Sequence, residues 1–206
     1  MNSTHTYAEI MSQPQAWQNA LDVTAPLTAR IQELTDRYDR VVFSGCGSTY
    51  YLSLAGAALF QQLTGKAARA VPGSELLLNS STVLEKDAPT LLVAISRSGT
   101  TSETLRAVEQ FKRSRRGEVI AISNYDSDLA ALGDLTLLLP AGQEKSVAQT
   151  RSFASMYVAV AALSAAAARR NDLGGAMAAL PEVGQRLITR YENLAKEIGE
   201  DLSFDR

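Results

Sequence analysis

The stretch Leu91-Leu92-Val93-Ala94-Ile95-Ser96-Arg97-Ser98-Gly99-Thr100-Thr101-Ser102-Glu103-Thr104 decides how the rest of the chain is read. Its five leading apolar residues, with no polar position between them, predict a strand buried on both faces. The hydroxyl-rich run that follows predicts a tight turn into a helix over about 101–114. At such a turn the free N–H groups of the first helical turn and the positive end of the helix dipole converge on one point. Short Ser and Thr hydroxyls add donors there without crowding it, and the ligand this chemistry favours is a phosphate. The plainer alternative is that Ser98, Thr100 and Thr101 only cap the helix, with Thr101 and Thr104 satisfying its first turn. The run holds more hydroxyls than capping needs, which favours the anion reading.

Working outward, Val41-Val42-Phe43 predicts a second buried strand, running through Ser44-Gly45-Cys46-Gly47-Ser48-Thr49 into a helix over 50–63 that Gly65 ends. Further strands are predicted over 67–71, 119–122 and 135–139, and helices over 74–79, 126–132, 153–170 and 181–199. Residues 6–37 carry helical spacing broken at Pro14 and Pro26. Strands alternating with helices imply parallel pairing through right-handed crossovers. The expected fold is therefore α/β: a flavodoxin-like three-layer sandwich with a five-stranded parallel sheet, entered by an N-terminal helical arm. In such sheets a ligand sits beyond the carboxyl ends of the strands at the switch point, where both hydroxyl-bearing turns would lie.

Composition narrows the chemistry. The 206 residues are 46% hydrophobic and 20% charged, which is enough to build a real core. With 20 basic and 22 acidic residues the net charge is −2, so there is no basic field for nucleic acid and no polybasic membrane anchor. A single cysteine, Cys46, and a single histidine, His5, exclude metal centres built from Cys and His and leave a Ser-His-Asp triad without its base. No apolar run reaches the length of a membrane span or follows a basic leader, so a cytoplasmic location is expected. No cofactor is called for.

Several features have bland readings that outweigh the sharp ones. Gly45-Cys46-Gly47 resembles the opening of a dinucleotide fingerprint, but Tyr50 stands at the third glycine position, which argues against NAD. Cys46 has no nearby base and reads as a small packed residue rather than a nucleophile. Trp17, at helical spacing, reads as core or interface. Lys112, Arg113, Arg115 and Arg116 read as the solvated end of a helix whose C-terminal dipole they complement.

Taken together, three segments resemble the sugar isomerase (SIS) domain: Gly45-Cys46-Gly47-Ser48-Thr49, Ser96-Arg97-Ser98-Gly99-Thr100-Thr101, and Ala141-Gly142-Gln143-Glu144-Lys145-Ser146-Val147-Ala148-Gln149-Thr150-Arg151-Ser152-Phe153. The resemblance covers residues 40–170. It is similar both to the isomerase half of glucosamine-6-phosphate synthases and to tagatose-6-phosphate ketose/aldose isomerases, including aminosugar-phosphate deaminases. The opening Thr6-Tyr7-Ala8-Glu9-Ile10 with Gln13-Pro14 and Trp17 looks more like the latter group. The resemblance implies that Ser96, Ser98 and Thr101 bind phosphate oxygens, with Arg97 supplying backbone. It further implies that Gly47, Ser48, Thr49, Val147 and Gln149 line the sugar. Arg97 stands where synthases usually have Gln, and Gln149 where they usually have Ser.

The chemistry implied is proton transfer between C1 and C2 of an opened phosphosugar, which needs a general base. In two-domain relatives the Glu, His and Lys for this lie in a second SIS domain, and Glu144 is the one acidic residue within the ligand loops here. It is expected either to act directly or to orient its neighbours by hydrogen bonds. A non-catalytic phosphosugar sensor is the alternative from another class. The expected division is an arm over 1–39, an SIS domain over 40–180 and a helical linker over 181–206. Tyr38-Asp39-Arg40 recurs as Phe204-Asp205-Arg206, with Pro14 and Pro181 at nearly the same spacing before them, so the chain is expected to be half of a longer protein. Homo-oligomerisation is expected because the alanine-rich helix over 153–170 and the arm offer more apolar surface than one sheet covers.

Overall fold

The computed structural model describes residues 5–85, 88–114, 116–201 and 203. Five strands form one parallel sheet: β1 (Arg40–Gly45), β2 (Ala67–Pro72), β3 (Thr90–Ser96), β4 (Val119–Ser123) and β5 (Leu135–Leu138), in the order β2-β1-β3-β4-β5. The helices are α1 (His5–Met11), α2 (Gln13–Thr24), α3 (Thr28–Arg37), α4 (Ser48–Thr64), α5 (Gly73–Leu78), α6 (Ser80–Val83), α7 (Ser102–Arg113), α8 (Asp128–Leu132), α9 (Arg151–Ala167), α10 (Asn171–Met177) and α11 (Leu180–Glu200). The flavodoxin-like three-layer expectation holds in strand number, direction and crossover pattern.

Residues 91–95 are wholly buried, as their apolar run requires. Each large side chain there contributes roughly 1.5–3 kcal/mol of burial. Successive residues face opposite layers. Leu91, Val93 and Ile95 join Val41, Phe43, Ile120 and Ile122 under α2, α3, α4 and α9, whereas Leu92 and Ala94 join Val42, Val119 and Ala121 under α5, α7 and α8. Ala20, Ile31 and Leu34 belong to the first of these clusters, so the lead-in helices α2 and α3 form part of a helical layer on the sheet.

Three details refine the sequence expectations. Gly65 ends α4 in the left-handed conformation, with φ 72°. The helix predicted over 153–170 instead ends at Ala167, because Arg169 adopts φ 56°, and α10 follows as an unforeseen element. The alanines of α9 serve close packing inside the chain: Ala159, Ala162 and Ala165 are buried, and a side chain at Gly56 of α4 would come within 2.7 Å of Val160. An open apolar row runs along α11, where Leu187, Tyr191, Leu194 and Ile198 are about half exposed; Tyr51 and Leu54 of α4, Leu78 of α5 and Tyr157 of α9 are exposed as well. Of the basic cluster, Lys112 bonds the Leu132 carbonyl and Asp134, Arg116 bonds the Glu85 carbonyl, and Arg115 lies outside the described residues. The recurrent Phe204-Asp205-Arg206 likewise lies outside them. No helix among the described residues is long and apolar enough to cross a membrane.

Candidate functional site

The helix after β1 and the helix after β3 lie on opposite faces of the sheet, and β1 and β3 are neighbours, so the strand order reverses between them. The two hydroxyl-bearing turns open side by side at this switch point. They touch: Cys46 Sγ lies 3.5 Å from Thr104 Oγ1, and a side chain at Gly73 would meet that same sulfur at 2.9 Å. The register pairs Ser96 with Ser123, so the turn after β4 starts level with the turn after β3.

The turn after β3 is built so that its carbonyls point one way. Arg97 O accepts from Asn124 N–H (3.1 Å) and Ser123 Oγ (3.3 Å), Ser98 O from Ser127 Oγ (2.8 Å), and Gly99 O from Leu129 N–H (3.1 Å). With three successive carbonyls spent on the β4–α8 segment, the hydroxyls and the start of α7 form the turn's donor side. Gly99 adopts φ 66°, and a Cβ there would meet Ser127 Oγ at 2.0 Å, so only glycine allows this approach.

The hydroxyls do not cap the helix. Thr101 occupies the N-cap position, yet no side-chain capping bond forms there. Its Oγ1 instead lies 3.2 Å from the buried Ser96 Oγ, which also accepts the Gly99 N–H at 3.2 Å. Ser98 Oγ accepts from Thr100 N–H and Thr100 Oγ1. The first-turn N–H groups of the twelve-residue α7 therefore remain available to an anion, under the positive end of its dipole.

In the turn after β1, Gly47 adopts φ 56° and starts α4. Thr49 is buried, its Oγ1 accepting the Cys46 N–H and donating to the Cys46 carbonyl, both at 2.9 Å, so this hydroxyl holds the loop's shape from within. Ser48 is half-buried and Gly47 exposed at the loop surface.

The loop between β5 and α9 folds around Glu144, whose side chain is fully buried. One carboxylate oxygen accepts Thr150 N–H and Thr150 Oγ1, both at 2.6 Å, and the other accepts Ser152 Oγ. Arg97 crosses from the neighbouring turn, its guanidinium 3.4 Å from the Val147 carbonyl and 3.9 Å from Glu144. Val147 exposes its side chain almost completely, while Gln149 buries an amide oxygen that finds no donor among the described residues. Thus Arg97 contributes its side chain as well as its backbone, joining the two loops.

Two sets of residues at this site went unassigned in the sequence. Asn124, Tyr125 and Ser127, in a polar turn at the end of a predicted strand, anchor the flanking loops: Asn124 Nδ2 donates to the Leu139 carbonyl and Ser155 Oγ, and Tyr125 Oη to the Glu144 carbonyl. Glu9 and Arg151 both hold the β5–α9 loop, Glu9 by the Lys145 N–H and Arg151 by the Gln143 carbonyl. A polar cluster following a third buried strand was the available signal for the first set; Glu9 carried none. A groove of about 370 Å³ between α2, α9 and α10 shares no residue with these loops; its alanine-rich wall is interspersed with Gln18, Asp22, Thr28, Arg170 and Asn171.

Similarity to known proteins extends over most of the chain. The SIS domain model matches residues 33–166. The glutamine–fructose-6-phosphate aminotransferase (isomerizing) of Thermococcus kodakarensis is 27% identical over 96% of this chain, which covers 34% of that protein. The crystal structure of tagatose-6-phosphate ketose/aldose isomerase from Escherichia coli superposes with a TM-score of 0.80 at 24% identity, over 92% of this chain and 54% of that one. Glucosamine-6-phosphate deaminase from Thermotoga maritima gives 0.68 at 25% identity, over 87% and 54%. The chain thus spans about a third of the length of the curated relative and about half of each structural neighbour. With the family model spanning the sheet and all three loops, this chain belongs to the SIS domain family and is homologous to phosphosugar isomerase domains.

Proposed function

We propose that the chain is the substrate-holding domain of a sugar-phosphate isomerase or aminosugar-phosphate deaminase, taking a hexose or hexosamine 6-phosphate. The observation that carries this is the one-sided turn at Ser96–Thr101: its carbonyls are spent on the β4–α8 segment, and its hydroxyls and the uncapped α7 face the switch point. Ser96, Ser98 and Thr101 bind the phosphate, with Arg97 adding positive charge. Gly47 and Ser48 border the sugar from the first loop, held in place by Thr49. Val147 and Gln149 border it from the third, where a sugar hydroxyl supplies the donor that the Gln149 oxygen lacks.

Ring opening and proton transfer between C1 and C2 need a free base. Glu144, the acidic candidate, is occupied by Thr150 and Ser152, which supports an orienting role rather than a direct one. Catalysis therefore requires residues from a second domain or a second copy, and the length of the relatives supports the former. The open apolar row on α11 gives either body a place to pack, so the assembly is a tandem or a homo-oligomer. A cytoplasmic location follows, because sugar phosphates are made and consumed there.

Calorimetric titration with fructose 6-phosphate, glucosamine 6-phosphate and the unphosphorylated sugars tests the reading. Binding of the phosphorylated forms alone is expected; equal affinity for the plain sugars overturns it. The occupied Glu144 also favours a second reading, a non-catalytic sensor, which predicts binding without isomerisation or ammonia release even in the full-length gene product.

A further inference from the structure

We infer that Glu9, on α1, is a positioning residue that sets the β5–α9 loop for the sugar; the inference rests on the phosphosugar reading above. Glu9 is almost wholly buried although α1 lies at the edge of the chain. Its Oε1 accepts the Lys145 N–H at 2.6 Å and the Ser146 N–H at 3.3 Å, and its Oε2 accepts the Ser146 hydroxyl. Among the described residues the carboxylate forms no ion pair, and loop N–H and O–H donors meet its charge.

The same junction grips the loop a second time. Arg151, in the first turn of α9, donates from Nε to the Gln143 carbonyl and from a terminal nitrogen to Ser12 Oγ, both at 2.8 Å. Ser12 follows α1 directly and bonds back to the Ala8 carbonyl. The loop's N–H groups at 145 and 146 are thus held by α1, and its carbonyl at 143 is held by a side chain anchored to the end of α1. A seven-residue helix has no stability of its own, so α1 stays in place through what it grips. On its outer side Tyr7 bonds Glu192 of α11, and the Lys196 ammonium lies 5.9 Å from the Tyr7 ring.

The effect falls on the sugar rather than on the phosphate. Lys145 and Ser146 immediately precede Val147, whose carbonyl meets Arg97, and Gln149, whose buried oxygen awaits a donor. The Ser96–Thr101 turn takes its main-chain support from β4 and α8 and has no hydrogen bond to Glu9 among the described residues; its link to the loop is the Arg97 side chain at the Val147 carbonyl. Removing the carboxylate should release the sugar-facing loop and leave the phosphate cradle intact.

The test compares the unaltered chain with Glu9→Gln and with the milder Ser146→Ala, which guards against a misfolded variant. Two readouts are used: amide hydrogen exchange without ligand, and affinities for fructose 6-phosphate and for inorganic phosphate. Faster exchange confined to 145–149, a fall of about tenfold in fructose 6-phosphate affinity and an inorganic phosphate affinity unchanged within about twofold are expected. Unchanged exchange over 145–149, or an equal loss for both ligands, overturns the inference. If the unaltered chain binds no fructose 6-phosphate, the phosphosugar reading fails, and Glu9 has no sugar to position. The exchange readout then records only whether it holds the loop.

Discussion

The phenol of Tyr125 is inserted into the backbone of Glu144: its Oη donates to the Glu144 carbonyl at 2.9 Å and accepts the Glu144 N–H at 3.1 Å. One hydroxyl from the β4–α8 turn thereby satisfies both main-chain groups of the residue around which the third loop folds. Tyr125→Phe keeps the ring and removes both bonds. It should destabilise the chain by about 1–3 kcal/mol, since two main-chain groups lose their partner. Urea unfolding measures this; an unchanged midpoint would show that water replaces the phenol at no cost.

Ser98→Ala should weaken binding of a hexose 6-phosphate by roughly 1.5–3 kcal/mol if Ser98 donates to a charged oxygen. Because α7 receives no side-chain cap, stability should change little. A loss of about 1 kcal/mol in stability, with the preference for phosphorylated over plain sugar intact, would mean the hydroxyl works as a cap after all.

Glu144→Gln separates an orienting carboxylate from a catalytic one. An amide cannot accept the Thr150 N–H, Thr150 hydroxyl and Ser152 hydroxyl with both ends, so a loss of about 1–3 kcal/mol in stability is expected, accompanied by weaker sugar binding. A variant of full stability and affinity that has lost turnover in the full-length gene product would restore Glu144 as the base.

Burial alone would raise the Glu9 carboxyl, but the Ser146 hydroxyl, the N–H groups of Lys145 and Ser146 and the charge of Arg151 outweigh it and hold it below its ordinary 4.5. A depressed folded value means that the unfolded chain binds the proton more readily. The stabilisation is therefore complete above 4.5 and lost as pH falls through the folded value. Exposed Glu33 and Asp36, beside Arg30 and Arg169 respectively, shift the same way. The informative measurement is therefore the difference between the unaltered chain and Glu9→Gln in urea midpoints from roughly pH 6 to pH 3. The slope should be shallower in the variant; parallel curves would contradict a Glu9 carboxyl held below its ordinary value in the folded state.

Local sequence determined the layers and the turn at which the proposed ligand site lies. Unbroken apolar runs at 91–95 and 119–122 are stable only as doubly buried strands, and their alternation with helical spacing leaves a parallel sheet as the economical arrangement. The hydroxyl-rich turn after β3 was legible for the same reason, because a helix start and the donors around it are a few residues apart in sequence. What no local pattern carried was the use of each side chain. Thr101 could cap or face Ser96, and Arg97 could lend backbone alone or reach Val147; the carbonyls of 97–99, drawn to β4 and α8, decided both. Tyr125 and Glu9 act on a loop respectively 19 and 136 residues away. Such partners meet only once the strand order and the helix layers have closed, which is why tertiary structure alone revealed them.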